Sequence, residues 1–397
     1  MIRISLATRT FGLLNLVSAR NAGLEPGLNT PVRKDILITA DHLPSGRPAR
    51  DFRGVKLLGK EWDEVVEIRE LIGDKNPFEL HVEDEQVEAT NKLFRRALGI
   101  GLEEDVILAG ERAGEAPFGT LAQIFPNADI ILLSQGLSGY GPPQNPLPPQ
   151  ILERISGYVY LDIVPGLQSV PLSMLNIRKS KVPMRFLRLA LHKATADSVA
   201  ELARLEAEQG RNSALMAGQG LSRYPLLSQA EEIEAMTALA QKCVDKGVAR
   251  VLYRPHPHET GEYLDALQGA MSDAGIHFSI TNTGMPFETL AGAIRPAMVA
   301  SLFSTALATV NRLYSIPAVS VDLAKLVKHV PKELDYLRTP MLLVSKMTDE
   351  RWPKELSAQT LLEANAACHF PDRYPHLAPV LEAVRAACPA ELVEAFF

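Results

Sequence analysis

Apolar positions along the chain follow two rhythms that take turns. Short unbroken runs at residues 2–7, 36–39, 106–109, 130–133 and 158–162 predict strands buried on both faces. The second of these leads into Asp41-His42, and 55–58 is a further candidate strand. Stretches with helical spacing alternate with the runs, at 11–21, 62–71, 87–98 and 119–125. The alternation then restarts. Strands are predicted at 213–217, 250–253, 277–280, 298–300 and 318–321, and helices at 261–274, at 288–293 and from Ser304 onward. Ser228 with Glu231 and Glu232 reads as a capping box for a helix running to Lys246. Residues 376–387 and 391–396 read as closing helices. Strands that alternate with helices imply parallel sheets covered on both faces, so the fold class is α/β, with two successive doubly wound, Rossmann-like domains and a cleft between them.

Residues 178–193 break the pattern. They hold six basic side chains (Arg178, Lys179, Lys181, Arg185, Arg188, Lys193) and no acidic one. Lys181, Arg185 and Arg188 share one helical face, and Met184, Leu187 and Leu191 share another. A helical connection over 178–210 is therefore expected between a first domain at 1–177 and a second at 211–375, with 376–397 as terminal helices. Its basic face is either a wall toward an anionic substrate or lipid, or an ordinary solvated surface; the pattern alone supports both equally.

Bulk composition narrows the class. A chain of 397 residues is too long for one ordinary core. With 46% hydrophobic and 22% charged residues, no large part need be disordered. The net charge of -6 gives nucleic-acid binding no support. Cys243, Cys368 and Cys388 lack CxxC spacing, which argues against a zinc site or disulfide framework and for a reducing compartment. The opening residues are too short an apolar run for a signal peptide, and nothing approaches the ~18 apolar residues of a membrane span. A cytoplasmic protein is expected, with peripheral contact at the inner face of the plasma membrane as an option for the basic patch.

Candidate chemistry gathers at predicted strand ends. The run Val251-Leu252-Tyr253-Arg254 is stopped by Pro255 and Pro257, which fixes His256 just past a strand, two residues beyond Arg254. An imidazole and a guanidinium outside the carboxyl end of a strand suit an anionic group, most simply a phosphate. An isolated His-Pro pair is more often a stiff turn, so the neighbours decide. Gly218-Gln219-Gly220 follows one strand and offers backbone amides. Ser304-Thr305 follows another and places hydroxyls at a helix N-terminus, where the dipole favours anions. Taken alone, Ser304-Thr305 is more often a plain N-cap. Glu288, after Pro286-Phe287, could bond a ribose or base, or only favour its helix start. In the first half, Glu111 follows one strand and Ser134-Gln135-Gly136 the next. A glycosyl transfer needs a base for the acceptor hydroxyl, usually a carboxylate. Glu111 is the nearest placed one, and a structural partnership with Arg112 is an equal reading. No DxD-like motif stands at a strand end, so no metal is expected.

The ordered set of motifs resembles the bacterial polysialyltransferase-like glycosyltransferases. That family carries an acidic pair before glycine, then His-Pro, then a Ser/Thr motif. Here the order is Ser134-Gln135-Gly136, His256-Pro257 and Ser304-Thr305. Further pieces agree: Gly12-Leu13-Leu14-Asn15, Phe125-Pro126-Asn127-Ala128, Gly136-Leu137 with Tyr140-Gly141-Pro142, Leu161-Asp162-Ile163-Val164-Pro165-Gly166, Gly218-Gln219, and Pro286 with Glu288.

The resemblance implies a GT-B architecture and an inverting sialyltransferase with CMP-sialic acid as donor and no separate cofactor. It puts His256, Ser304 and Thr305 on the donor phosphate, with Gly218, Gln219, Arg254, Pro257 and Glu288 around the donor. Gly136, Tyr140, Arg185 and Arg188 are expected on the side of a glycan acceptor, an anionic polymer being one option. It also exposes a departure. The family's base position holds Gln135, and an amide cannot take a proton at neutral pH. Three readings follow. The base has moved, with Glu111 the candidate; the chemistry runs without one; or the protein is a non-catalytic nucleotide or glycan binder. A nucleotide-sugar epimerase on the same architecture is the remaining alternative, and a preference for UDP over CMP would mark it.

Overall fold

The computed structural model describes residues 1–23, 30–40, 58–134, 136–141, 147–169, 176–198, 200–202, 204, 212–281 and 285–397. Asp41-His42, most of the candidate strand at 55–58, Pro142 and Gln135 lie outside the described residues. The chain divides into two compact units. The first comprises Met1–Gln135, Asn145–Asp162 and Leu172–Thr195; the second comprises Gly136–Gln144, Ile163–Pro171 and Ala196–Phe397. Two short pieces that a linear reading assigns to the first half are thus built into the second unit, and the first unit runs on past residue 177 to Thr195.

The first unit holds a seven-stranded sheet: β1 (Ile2–Ala7), β2 (Lys34–Thr39), β3 (Glu64–Glu67), β4 (Val106–Gly110), β5 (Asp129–Leu133), β6 (Ile155–Leu161) and β7 (Arg178–Val182). Their spatial order is β3-β2-β1-β4-β5-β6-β7, and every pairing is parallel. β1, β4 and most of β5 are buried throughout, as unbroken apolar runs demand in a sheet covered on both faces. Helices Thr10–Ala22 and Met184–Ala194 pack together, as do Val87–Ala97 and Phe118–Ile124. Inside the sheet Arg3, buried on β1, is paired with Asp35 on β2, and Arg20 reaches the same carboxylate.

Two expectations need correction here. Residues 62–71 are not one amphipathic helix. Glu64–Glu67 extends as edge strand β3 beside β2, and only Ile68–Ile72 is helical, opened by a Glu67–Glu70 capping box. The adjacent β-branched Val65 and Val66 fit a strand, which sends Val66 inward and leaves Val65 40% exposed. Nor is 178–193 a single helical connection. Arg178–Val182 is the far edge strand of the first sheet, with Ser180 and Val182 inward, and the helix begins only after Pro183. Lys181 therefore does not share a helical face with Arg185 and Arg188; it lies 3.6 Å from Asp162. Met184, Leu187 and Leu191 do face the core, and Arg185 and Arg188 are exposed.

The second unit holds a five-stranded sheet: β8 (Ser213–Ala217), β9 (Arg250–Arg254), β10 (Phe278–Ile280), β11 (Met298–Ala300) and β12 (Ala318–Val319). The order is β10-β9-β8-β11-β12, again with parallel pairing throughout. Helices Gln229–Asp245 and Gly261–Asp273 form one packed pair and Phe287–Ile294 and Thr305–Tyr314 another. Ser228 and Glu231 make the capping box read from the sequence. β12 stops two residues earlier than expected. Beyond it the chain forms helices Leu323–Val327, Arg338–Thr348 and Ala358–His369, followed by the closing helices Ala378–Ala387 and Ala390–Phe396. Both units are doubly wound α/β folds, the class expected of a GT-B chain. No helix among the described residues is long and apolar enough to cross a membrane.

Candidate active site

In each sheet the chain lays strands to one side of its first strand and then returns to the other, so each has a switch point next to that strand. Ligands of open α/β sheets bind outside the carboxyl ends there. In the second sheet the switch lies between β8 and β11. The loop after β8 is Gly218-Gln219-Gly220, and Gln219 clips it across the switch. Its Oε1 accepts from the Phe303 amide (2.8 Å) and lies 3.0 Å from the Ser301 hydroxyl, both just past β11.

The same loop leans on the His256 turn after β9. A Cβ on Gly218 would overlap the Glu259 carboxylate and the Tyr253 hydroxyl, and one on Gly220 would lie 3.2 Å from His256 Nδ1. Gly220 also has φ +59°, a conformation that favours glycine. Three predicted segments, at the ends of β8, β9 and β11, are therefore brought together.

Glu259 organises this turn, and the sequence reading missed it. The side chain is buried at 5% exposure. Its carboxylate accepts from the Tyr253 hydroxyl (2.9 Å), from the His256 amide (3.0 Å) and from the Gly220 amide. Burial pushes its carboxyl up to about 7, although the hydrogen bonds from Tyr253, His256 and Gly220 oppose the rise. Glu232, fully buried, accepts the amides of Leu221 and Ser222 at 2.8 and 2.7 Å and fixes the other end of the glycine loop. Only the spacing hinted at these roles: Glu259 stands three residues past His256, and Glu232 is one residue past the capping-box glutamate.

His256 is half-buried. The His258 amide donates to its Nδ1 at 3.3 Å. An accepting Nδ1 places the proton of the neutral ring on Nε2, which makes Nε2–H a hydrogen-bond donor. Pro257, also half-buried, stiffens this turn. Arg254 donates to the carbonyls of Pro255 (2.7 Å) and Met285 (3.2 Å), so it ties β9 to the entry of helix Phe287–Ile294. Glu288 is buried against the Thr309 hydroxyl (2.7 Å), and burial raises its carboxyl above the ordinary range.

Ser304 caps helix Thr305–Tyr314 by accepting the Ala306 amide at 3.2 Å. Thr305 Oγ1 accepts the Leu137 amide at 3.2 Å. A hydroxyl that accepts still has its own proton to donate, so both can serve an anion from the helix start. Leu137 belongs to the segment after β5. Gly136 there has φ +66°, and a Cβ on it would lie 2.7 Å from Thr305 Oγ1. Tyr140 is fully buried, and its hydroxyl accepts the Ile163 amide at 3.0 Å. Its place is in the packing of that segment.

In the first sheet the switch lies between β1 and β4. Glu111, 8% exposed, follows β4. Gly12 of helix Thr10–Ala22 leaves it room, since a Cβ there would lie 3.3 Å from Glu111 Oε2. Asn15, on the same helix, donates from Nδ2 to Glu111 Oε1 (3.3 Å) and to the Ser134 carbonyl (3.0 Å). Arg112, the expected structural partner, is instead committed to Glu115. Arg185 and Arg188 lie elsewhere on this unit, on helix Met184–Ala194.

Comparison with known proteins adds the family. Among solved structures the chain is similar in course to a sialyltransferase from Photobacterium damselae (residues of its GT-B domain), with 10% identity over 87% of this chain and 97% of that one and a TM-score of 0.46. It is similar to a UDP-GlcNAc 2-epimerase from Methanocaldococcus jannaschii at 12% identity over 90% and 96%, TM-score 0.47, and to MurG of Acinetobacter baumannii at 14% over 100% and 99%, TM-score 0.40. No curated protein matches the sequence. The model of the alpha-2,8-polysialyltransferase family matches residues 35–323, a span from β2 past β12 that includes Glu111, His256, Ser304 and Thr305. The chain belongs to the alpha-2,8-polysialyltransferase family and is a sialyltransferase-like glycosyltransferase.

Proposed function

We propose that this chain is an inverting glycosyltransferase that moves sialic acid, or a related nonulosonic acid, from a CMP-activated donor to a glycan acceptor. The observation that carries the reading is the gathering of Gly218-Gln219-Gly220, the His256 turn and the Ser301–Thr305 stretch at one carboxyl edge, in a chain of this family. The donor's phosphate is met there by Nε2–H of His256, the hydroxyls of Ser304 and Thr305, and the start of helix Thr305–Tyr314. As the bond from the anomeric carbon to the phosphate oxygen breaks, its electron pair stays on CMP, and these donors stabilise the charge that appears. The acceptor hydroxyl attacks the opposite face of the anomeric carbon. Its proton passes to Glu111, and Gln135 orients rather than deprotonates. A cytoplasmic location and a role in building a surface polysaccharide belong to the same proposal.

Gln135 favours a second reading, a family member that binds nucleotide without turnover. Calorimetry with CMP and UDP, paired with an assay of CMP release from CMP-sialic acid, separates the possibilities. The proposal expects CMP to bind more tightly than UDP, the binding to weaken in His256→Ala, and an oligosialic acceptor to raise release. Preference for UDP contradicts the donor assignment. Tight CMP binding without release under any acceptor favours the second reading.

A further inference from the structure

The polar cluster at the carboxyl edge of the first sheet has features that the stability of the fold does not require. Asn15 and Ser134 are 4% and 3% exposed. Both acceptors of the Asn15 amide, Glu111 Oε1 and the Ser134 carbonyl, can only receive, which fixes its NH2 toward them. Its own Oδ1 then faces away, and among the described residues both Oδ1 and Ser134 Oγ are buried without a hydrogen-bond partner. Buried polar atoms left unmatched work against stability and cluster where function needs them. This pair lies at a switch point, beside a carboxylate for which helix Thr10–Ala22 makes room with Gly12.

We infer that Asn15 is a positioning residue: it holds the Glu111 carboxylate in place as the base that takes the acceptor proton. The inference rests on the glycosyl-transfer reading above. A neutral amide suits the task. It fixes one carboxylate oxygen and adds no charge, whereas a Lys or Arg at the same place would lower the proton affinity of the base. Asn15, which bonds Glu111, and Ser134, which Asn15 also bonds, are uncharged, and Arg112 on Glu111's own loop pairs with Glu115. The bond from Asn15 to the Ser134 carbonyl also ties Glu111 to the end of β5, so the base is referenced to two strands of the sheet rather than to its loop alone.

Two variants of the full chain test this, assayed by acceptor-dependent CMP release, CMP affinity and thermal melting. Asn15→Leu removes the hydrogen bonds and the buried orphan oxygen at similar volume. It is expected to melt cooperatively, though somewhat lower because Glu111 and the Ser134 carbonyl lose their donor, and to bind CMP equally well, yet to lose about ten-fold or more in acceptor-dependent kcat with little change in KM. Asn15→Asp places a second carboxyl group where the amide stood, 3.3 Å from Glu111. Like charges so close raise the proton affinity of the pair, so the acid limb of its pH–rate profile is expected to move to higher pH. Release that both variants leave at the wild-type rate, with an unmoved profile, overturns the inference and leaves the transferase reading standing. Absence of release from the unaltered protein with every acceptor overturns the reading, and the inference falls with it.

Discussion

At the carboxyl edge of the second sheet, Gln219 receives an amide from beyond β11, Glu259 receives the Tyr253 hydroxyl and the His256 amide, and Glu232 receives two amides of the glycine loop. At the corresponding edge of the first sheet, Asn15 gives its amide to Glu111 and the Ser134 carbonyl, while its own oxygen and the Ser134 hydroxyl are buried and unmatched among the described residues. The same topology has thus been finished in two ways. At the second edge Glu259, Glu232 and Gln219 take up backbone amides and hold the turns around His256 and Phe303; under the proposed function this edge is the donor's anion cradle. Such fixed donors need little rearrangement when charge develops. The first edge holds one carboxylate, Glu111, through Asn15 at some cost in polar satisfaction; under the proposed function that carboxylate is the base. A phosphate can be met by a rigid set of donors, whereas proton removal depends on the aim and ionisation of a single group.

The comparison breaks most visibly at Glu111. Glu111→Gln is expected to lower acceptor-dependent CMP release by about 10²–10⁴-fold while CMP affinity stays unchanged. Release at the wild-type rate would remove the base from the first edge. His256→Ala should act the other way, weakening CMP binding and lowering release by about 10²–10³-fold, as loss of one preorganised donor does; unchanged CMP affinity by calorimetry would contradict the cradle. Gly218→Ala drives a methyl group into Glu259 and Tyr253. Overpacking of this kind costs about 1–3 kcal/mol, so a lower melting temperature and weaker CMP binding are expected together. Wild-type behaviour in both would show the cradle to be looser than described.

The smallest effect follows from the titration of Glu259. Its folded-state value, about 7, lies above the ordinary 4.5, with burial the main cause and the Glu232 charge adding to it. The stability it contributes is therefore fully present below about 4.5 and is lost as pH rises through about 7. Glu259→Gln does not titrate. Relative to the unaltered protein it should melt lowest near pH 5, and the gap should narrow by pH 8. A gap that is constant or widens with pH would mean that Glu259 is not the buried acid of this turn.

Much of the fold was legible in the sequence because parallel strands buried on both faces read as continuous apolar runs; β1, β4, β5, β8 and β9 stand where those runs lie. The failures came at sheet edges. β3 is carried by Glu-Val-Val-Glu and β7 by Arg-Lys-Ser-Lys-Val, strands covered on only one side, whose charge hides their period of two. Of the site, the His256 turn, the glycine loop and Ser304-Thr305 were legible because each follows a strand. Glu259, Glu232 and the bonds of Asn15 were not, since hydrogen bonds between Asn15 and residues 96 and 119 positions away leave no local pattern. The drawing of Leu137 onto Thr305, 168 positions apart, was equally invisible.

The most direct measurement is CMP release from CMP-sialic acid, with and without an oligosialic acceptor, by the unaltered protein and by Gln135→Glu. The account predicts release by the unaltered protein that the acceptor raises, because Glu111 supplies the base. Silence from the unaltered protein beside release from Gln135→Glu would contradict it. The donor cradle would then be intact, and the missing base would be at position 135 rather than present at Glu111.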